Sequence, residues 1–109
     1  MATIAQFSEI DIRVGRITEV EDHPTARKPM YKLSVDFGAE VGRRTIIAGI
    51  KDYYKGEELI GKKVVAIINL EPKSIAGIIS EAMLLAAEDD SAVSLLTTDK
   101  EIKEGGKIR

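Results

Sequence analysis

The stretch Tyr31-Lys32-Leu33-Ser34-Val35-Asp36-Phe37 alternates apolar and polar residues without a break. Successive side chains of a strand point to opposite faces, so Tyr31, Leu33, Val35 and Phe37 share a buried face while Lys32, Ser34 and Asp36 point outward. Upstream, Ile10, Ile12 and Val14 alternate likewise until Gly15 moves the parity to Ile17, which predicts a bulge at that glycine. Downstream, Thr45-Ile46-Ile47-Ala48 and Val64-Val65-Ala66-Ile67-Ile68 are short, β-branched runs bounded by glycine and charge, the pattern of more deeply buried strands. Met83-Leu84-Leu85-Ala86-Ala87 and Val93-Ser94-Leu95-Leu96 complete the set, the first equally readable as a helical turn by composition alone. Turns are predicted at Phe37-Gly38, Lys55-Gly56, Ile60-Gly61 and Gly105-Gly106. Single helical turns are predicted within residues 53–59 and 3–9, the latter packing Ile4 and Phe7. Five or six short strands at even spacing in so short a chain predict an all-β barrel in a single domain over residues 1–109.

Composition narrows the function classes. With 44% hydrophobic and 31% charged residues the chain is too apolar to be disordered. The absence of cysteine excludes disulfides, thiolate metal sites and a thiol nucleophile. Small secreted domains often need cross-links, so a cytoplasmic location is expected. Residues 1–7 lack the basic region and apolar stretch of a signal peptide, and the longest apolar runs are too short to span a bilayer, so no membrane role is expected. His23 is the only histidine and sits beside Pro24 in turn-forming company. A multi-histidine metal site and a Cys–His pair are therefore ruled out, and no serine lies in a nucleophile-elbow context. Asp89-Asp90 and Glu57-Glu58 would diverge as strand neighbours and read as solvated charge. No glycine-rich loop opens a helix, so no phosphate cradle is indicated. The chain is expected to act without catalysis, cofactor or metal.

The net charge of −2 hides an uneven distribution. Residues 1–26 carry −3, residues 27–73 carry +4 and residues 74–109 carry −3. A basic block between acidic ends is a candidate phosphate-binding surface. Its ordinary alternative is a solvated mixed-charge face.

Seven blocks then appear in order: Asp11-Ile12-Arg13-Val14-Gly15-Arg16-Ile17, Val20-Glu21-Asp22-His23-Pro24, Val35-Asp36-Phe37-Gly38, Arg44-Thr45-Ile46-Ile47-Ala48-Gly49-Ile50, Leu59-Ile60-Gly61-Lys62-Lys63-Val64-Val65, Asn69-Leu70-Glu71-Pro72-Lys73 and Ser80-Glu81-Ala82-Met83-Leu84-Leu85-Ala86-Ala87. Over residues 7 to about 108 the chain resembles the tRNA-binding domain family. That family includes the C-terminal appendage or β-subunit of methionyl-tRNA synthetases, free-standing structure-specific tRNA-binding proteins and CsaA-type export chaperones. The resemblance implies an OB-fold, a five-stranded barrel with short helical turns, working as a homodimer that binds tRNA by shape and backbone.

Matched position by position, the resemblance implies tRNA contacts at Lys32, Arg44, Asn69, Lys73, Ser80 and Met83. Two readings stand for Asn69, which could instead satisfy a buried turn, and for Met83, which could fill core volume. The apolar residues Ile4, Phe7, Ile10, Ile12, Ile102 and Ile108 are the candidate dimer interface. The implied function is tRNA binding in trans, with a methionyl-tRNA synthetase as a candidate partner. The alternative is a CsaA-type chaperone binding unfolded peptides. Ala82 replaces the glycine usual in the synthetase type, where a methyl would crowd a close backbone approach. Arg27-Lys28-Pro29-Met30-Tyr31 and Ile75-Ala76-Gly77 are similar to the CsaA type, whereas Leu84-Leu85-Ala86-Ala87 is similar to the synthetase type.

Overall fold

The computed structural model describes residues 1–109 throughout. The alternating stretch forms β2 (Tyr31–Asp36), with Tyr31, Leu33 and Val35 buried and the residues between them half-buried. It lies between β1 (Ile12–Asp22) and β3 (Arg43–Ala48), antiparallel to both. β1 has eleven residues and serves two partners. Its second half pairs with β2, and its first half pairs with β4 (Lys63–Ile67), from Ile12 opposite Ile67 to Arg16 opposite Lys63. β4 then meets β7 (Met83–Leu84), giving a five-stranded sheet in the order β3-β2-β1-β4-β7.

The sheet curls until its edges nearly meet. Glu81 N donates to Thr45 O at 2.8 Å, Thr45 N donates to Glu81 Oε1 at 2.8 Å, and Ile47 N donates to Ser80 Oγ at 3.0 Å. Side chains thus satisfy backbone donors that an open β3 edge would leave unpaired. The remaining edge of β1 is covered from the far end of the chain. Val14 N donates to Gly106 O, Gly105 N to Val14 O, and Ile108 N to Ile12 O, at 2.8–3.0 Å. The result is a nearly closed antiparallel barrel of OB-like architecture, as expected. Phe37, Ile17, Leu33, Ile46, Leu59, Val35 and Val64 are fully buried within it.

Three details depart from the sequence reading. The β1–β2 register shifts between Ile17 and Glu19, not at Gly15. Gly15 answers to packing instead, because a Cβ there would lie 2.6 Å from Val35 Cγ1. Residues 73–80, where the sequence pattern predicts no strand, form a separate hairpin of β5 (Lys73–Ile75) and β6 (Ile78–Ser80). The 83–87 run breaks at Leu85 into β7 and β8 (Ala86–Glu88), and β8 pairs with β9 (Val93–Leu95) as another small hairpin. The predicted helical turns are present as α1 (Ile4–Ser8) and α3 (Gly56–Leu59), and the Phe37-Gly38 turn opens a further one, α2 (Gly38–Val41). Helix α1 begins with a capping box, in which Thr3 and Gln6 satisfy each other's backbone donors. No helix is long and apolar enough to cross a membrane.

Candidate nucleic-acid interface

On the outward face of the sheet, Lys32 of β2 stands opposite Glu21 of β1 and Ile47 of β3. Cross-strand partners share a face, so an isoleucine sits here among polar neighbours. It is nevertheless only 9% exposed, because the β5–β6 hairpin lies beside it. In that hairpin Lys73 pairs with Ser80 and Ile75 with Ile78, and the turn between the strands is Ala76-Gly77, with φ of +49° and +90°. Two positive φ values give the twist a two-residue hairpin needs. A groove of about 240 Å³ runs between the hairpin and β3. Ile47, Leu70, Ile75, Ala82 and Met83 give it an apolar lining, with Glu71, Lys73 and Ser80 as its polar members.

Three of the predicted tRNA contacts, Lys73, Ser80 and Met83, therefore line one groove, and Lys32 is the cross-strand neighbour of its Ile47. Lys73 is exposed and Met83 stands out of the core at 46% exposure. Ser80 is buried, and its hydroxyl accepts from Ile47 N and donates to Ala82 O at 3.1 Å. Arg44, the second residue of β3, lies on the core-facing parity, half-buried. Its Nη1 donates to Ile68 O at 3.0 Å and Glu81 O at 3.3 Å, bridging the segments at either end of the groove's floor. Asn69 lies outside the groove. Its Oδ1 accepts from Asp11 N and its Nδ2 donates to Glu9 O, both at 2.8 Å, tying the chain after α1 to the end of β4. The Ala82 methyl faces the core and is 8% exposed.

Charge separates the cations of the basic block. Arg43 is paired with Glu19, Lys51 with Asp22, and Lys63 with Glu101 and Glu104. Lys62 lies over the Tyr54 ring, 5.9 Å from its centroid. Lys32 and Lys73 form no ion pair, and neither do Arg27 and Lys28 in the loop after β1. That loop is docked on the hairpin: His23 Nε2 donates to Ile75 O and Thr25 Oγ1 to Ala76 O, each at 2.8 Å. In the sequence Arg27 and Lys28 belong to the basic block and to the CsaA-like stretch 27–31 but not to the candidate tRNA contacts. Their nearness to the hairpin depends on His23 and Thr25 reaching across some fifty residues of chain.

The candidate dimer residues gather at a different pole. Phe7, Ile10, Ile12 and Ile108 line a hollow of about 410 Å³ between α1 and the chain's last residues, and Ile4 projects from α1 at 82% exposure. Ile102 is not among the lining residues and packs over Gly106.

The family described as "Putative tRNA binding domain" matches residues 12–107. A methionine–tRNA ligase of Pyrococcus furiosus is 53% identical over 104 residues, which cover 95% of this chain and 14% of that enzyme. The chain thus spans about a seventh of the length of the ligases it matches. The crystal structure of the CsaA chaperone protein from Picrophilus torridus superposes with a TM-score of 0.94 at 47% identity, covering 100% of both chains. A MetRS-related protein from Pyrococcus horikoshii superposes with a TM-score of 0.89 at 34% identity, covering 100% of this chain and 98% of that one.

Proposed function

The chain belongs to the tRNA-binding domain family, and from that premise we propose that it binds tRNA in trans along the groove face between β3 and the β5–β6 hairpin. The observation that carries this is Lys73 on the groove that Ser80 and Met83 also line, with Lys32 the cross-strand neighbour of its Ile47 and neither lysine in an ion pair. Unpaired ammonium groups on a shaped face suit phosphate contacts that read a folded RNA by its backbone. Arg27 and Lys28 extend the same patch. Arg44 acts mainly through the backbone carbonyls it holds beside the face, whereas Asn69 holds the chain after α1 to the end of β4, outside the groove. The module acts by binding, in the cytoplasm, and leaves aminoacylation to a partner such as a methionyl-tRNA synthetase. Two copies joined by the apolar pole at Ile4, Phe7, Ile10, Ile12 and Ile108 would present two such faces, and linked sites raise affinity through effective concentration.

The test is filter binding of unfractionated tRNA across a salt series, with the wild-type protein, Lys32→Ala and Lys73→Ala. Wild-type affinity is expected to fall steeply with salt. Each variant should bind severalfold more weakly and with a salt slope shallower by about one unit. Sedimentation of the same sample should report two copies per particle. Absence of binding at low salt would sink the reading. The apolar lining of the groove favours a second occupant, an extended unfolded peptide, and salt-insensitive capture of such a peptide in place of tRNA would move the assignment there.

A further inference from the structure

We propose that His23 is a positioning residue for the groove, fixing the β5–β6 hairpin and with it Lys73 and Ile75. This rests on the reading that the groove binds tRNA. The hairpin is a two-stranded sheet of three-residue strands with no third strand paired to it in a ladder. Such a hairpin is marginal by itself in water. Its base is held where Ile47 N donates to Ser80 Oγ. Its tip contains Ala76 at φ +49°, a left-handed conformation unfavourable for a residue with a Cβ, so the turn must be held from outside.

The only histidine of the chain supplies that hold. His23 is 7% exposed, and its own N–H donates to Met30 O at 2.9 Å, closing the base of the loop between β1 and β2. Thr25 N and Ala26 N both donate to its Nδ1 at 3.1 Å. With that lone pair occupied, the ring proton resides on Nε2, which donates to Ile75 O at 2.8 Å. Thr25, oriented by the same turn, donates its hydroxyl to Ala76 O. One imidazole therefore organises the loop through one nitrogen and restrains the strained tip through the other. The loop that continues into Arg27 and Lys28 is thereby tied to the hairpin that carries Lys73.

The two nitrogens can be separated by substitution. His23→Asn keeps an acceptor near the Nδ1 position and so the turn, but cannot reach Ile75. His23→Gln places an amide N–H near the Nε2 position. Amide hydrogen exchange over residues 73–80 and tRNA affinity at fixed salt should be measured for both, with Thr25→Val as a milder variant that leaves the loop intact. In His23→Asn, exchange across the hairpin should quicken about fivefold while β1 and β4 stay unchanged, and tRNA affinity should fall by a similar factor. His23→Gln, which restores the contact to Ile75 but not the acceptor for the turn, should recover part of both losses, and Thr25→Val should show a smaller change in the same direction. Unchanged hairpin exchange in His23→Asn and Thr25→Val, or equal losses in the Asn and Gln variants, overturns the proposal. Faster exchange with unaltered tRNA affinity overturns the positioning role. Failure of the wild-type protein to bind tRNA overturns the functional reading instead, and exchange then still decides whether His23 holds the hairpin.

Discussion

A methyl group on Gly15 would stand 2.6 Å from Val35 Cγ1 and 2.7 Å from Phe37 Cε1, both on fully buried side chains. Neither neighbour can swing into solvent, so Gly15→Ala overpacks the core. It is expected to cost about 1–3 kcal/mol in urea unfolding, whereas a change below about 0.5 kcal/mol would mean the core yields freely there. The apolar pattern around Gly15 showed that the strand's parity shifts nearby. Whether a bulge or a close contact was responsible depended on Phe37, which arrives from a strand that β1 meets only in the folded chain. His23 is a similar case. Its place beside Pro24 spoke for a turn, correctly, but its burial comes from Ile75, a partner 52 positions away. Asp89, read as solvated charge, accepts from Ser91 N, Ser91 Oγ and Ala92 N, and these bonds hold its carboxyl below the usual carboxylate range.

Among the elements, β3 and the segment entering β7 are joined by side chains where a ladder would otherwise run. Ser80 is central to that seam, since Ile47 N, buried beneath the hairpin, has the serine hydroxyl as its acceptor. Ser80→Ala leaves the amide unsatisfied and is expected to lower stability by about 1–3 kcal/mol. It should also loosen the hairpin, which protection of the Ile47 amide from exchange would report. A tRNA contact at Ser80 and this seam are compatible, because the same residue lines the groove. The strands β1 to β4 were legible because alternation or β-branched runs mark them over four or more residues. The β5–β6 hairpin was not, because three-residue strands carry no period and Ile78-Ile79 places adjacent apolar side chains on opposite faces. Lys73, Ser80 and Met83 were legible as candidate contacts only through resemblance. That they converge on one groove follows from the hairpin folding over Ile47.

For the molecule as a whole, an ionic clasp joins β1 and β4 to residues 101–104. Lys63 Nζ lies 2.9 Å from Glu101 and 3.3 Å from Glu104 and also donates to Ile102 O, while Arg16 reaches Glu104 at 3.3 Å. Hydrogen bonds from Lys63 hold Glu101 and Glu104 below the ordinary glutamate value of 4.5, and Glu101 in turn raises Lys63 above 10.5. Carboxylates with depressed folded values stabilise above pH 4.5 and lose that contribution as pH falls through those values. The lysine contributes below pH 10.5 and loses its part as pH climbs past its raised value. Urea midpoints should therefore decline as pH drops below 4.5, and Lys63→Met should flatten this acid limb; an equal decline in both proteins would refute the clasp. The clasp leads directly into residues 105–108, the strip that hydrogen-bonds to Ile12 and Val14. Pairing across more than ninety positions carries a large loop-closure cost and belongs to slow-folding topologies. On the ribosome, therefore, β1 emerges some ninety residues before the 105–108 strip and must wait for it, and a chain stalled between them would leave the Ile12–Val14 edge open to pairing with a neighbouring nascent chain.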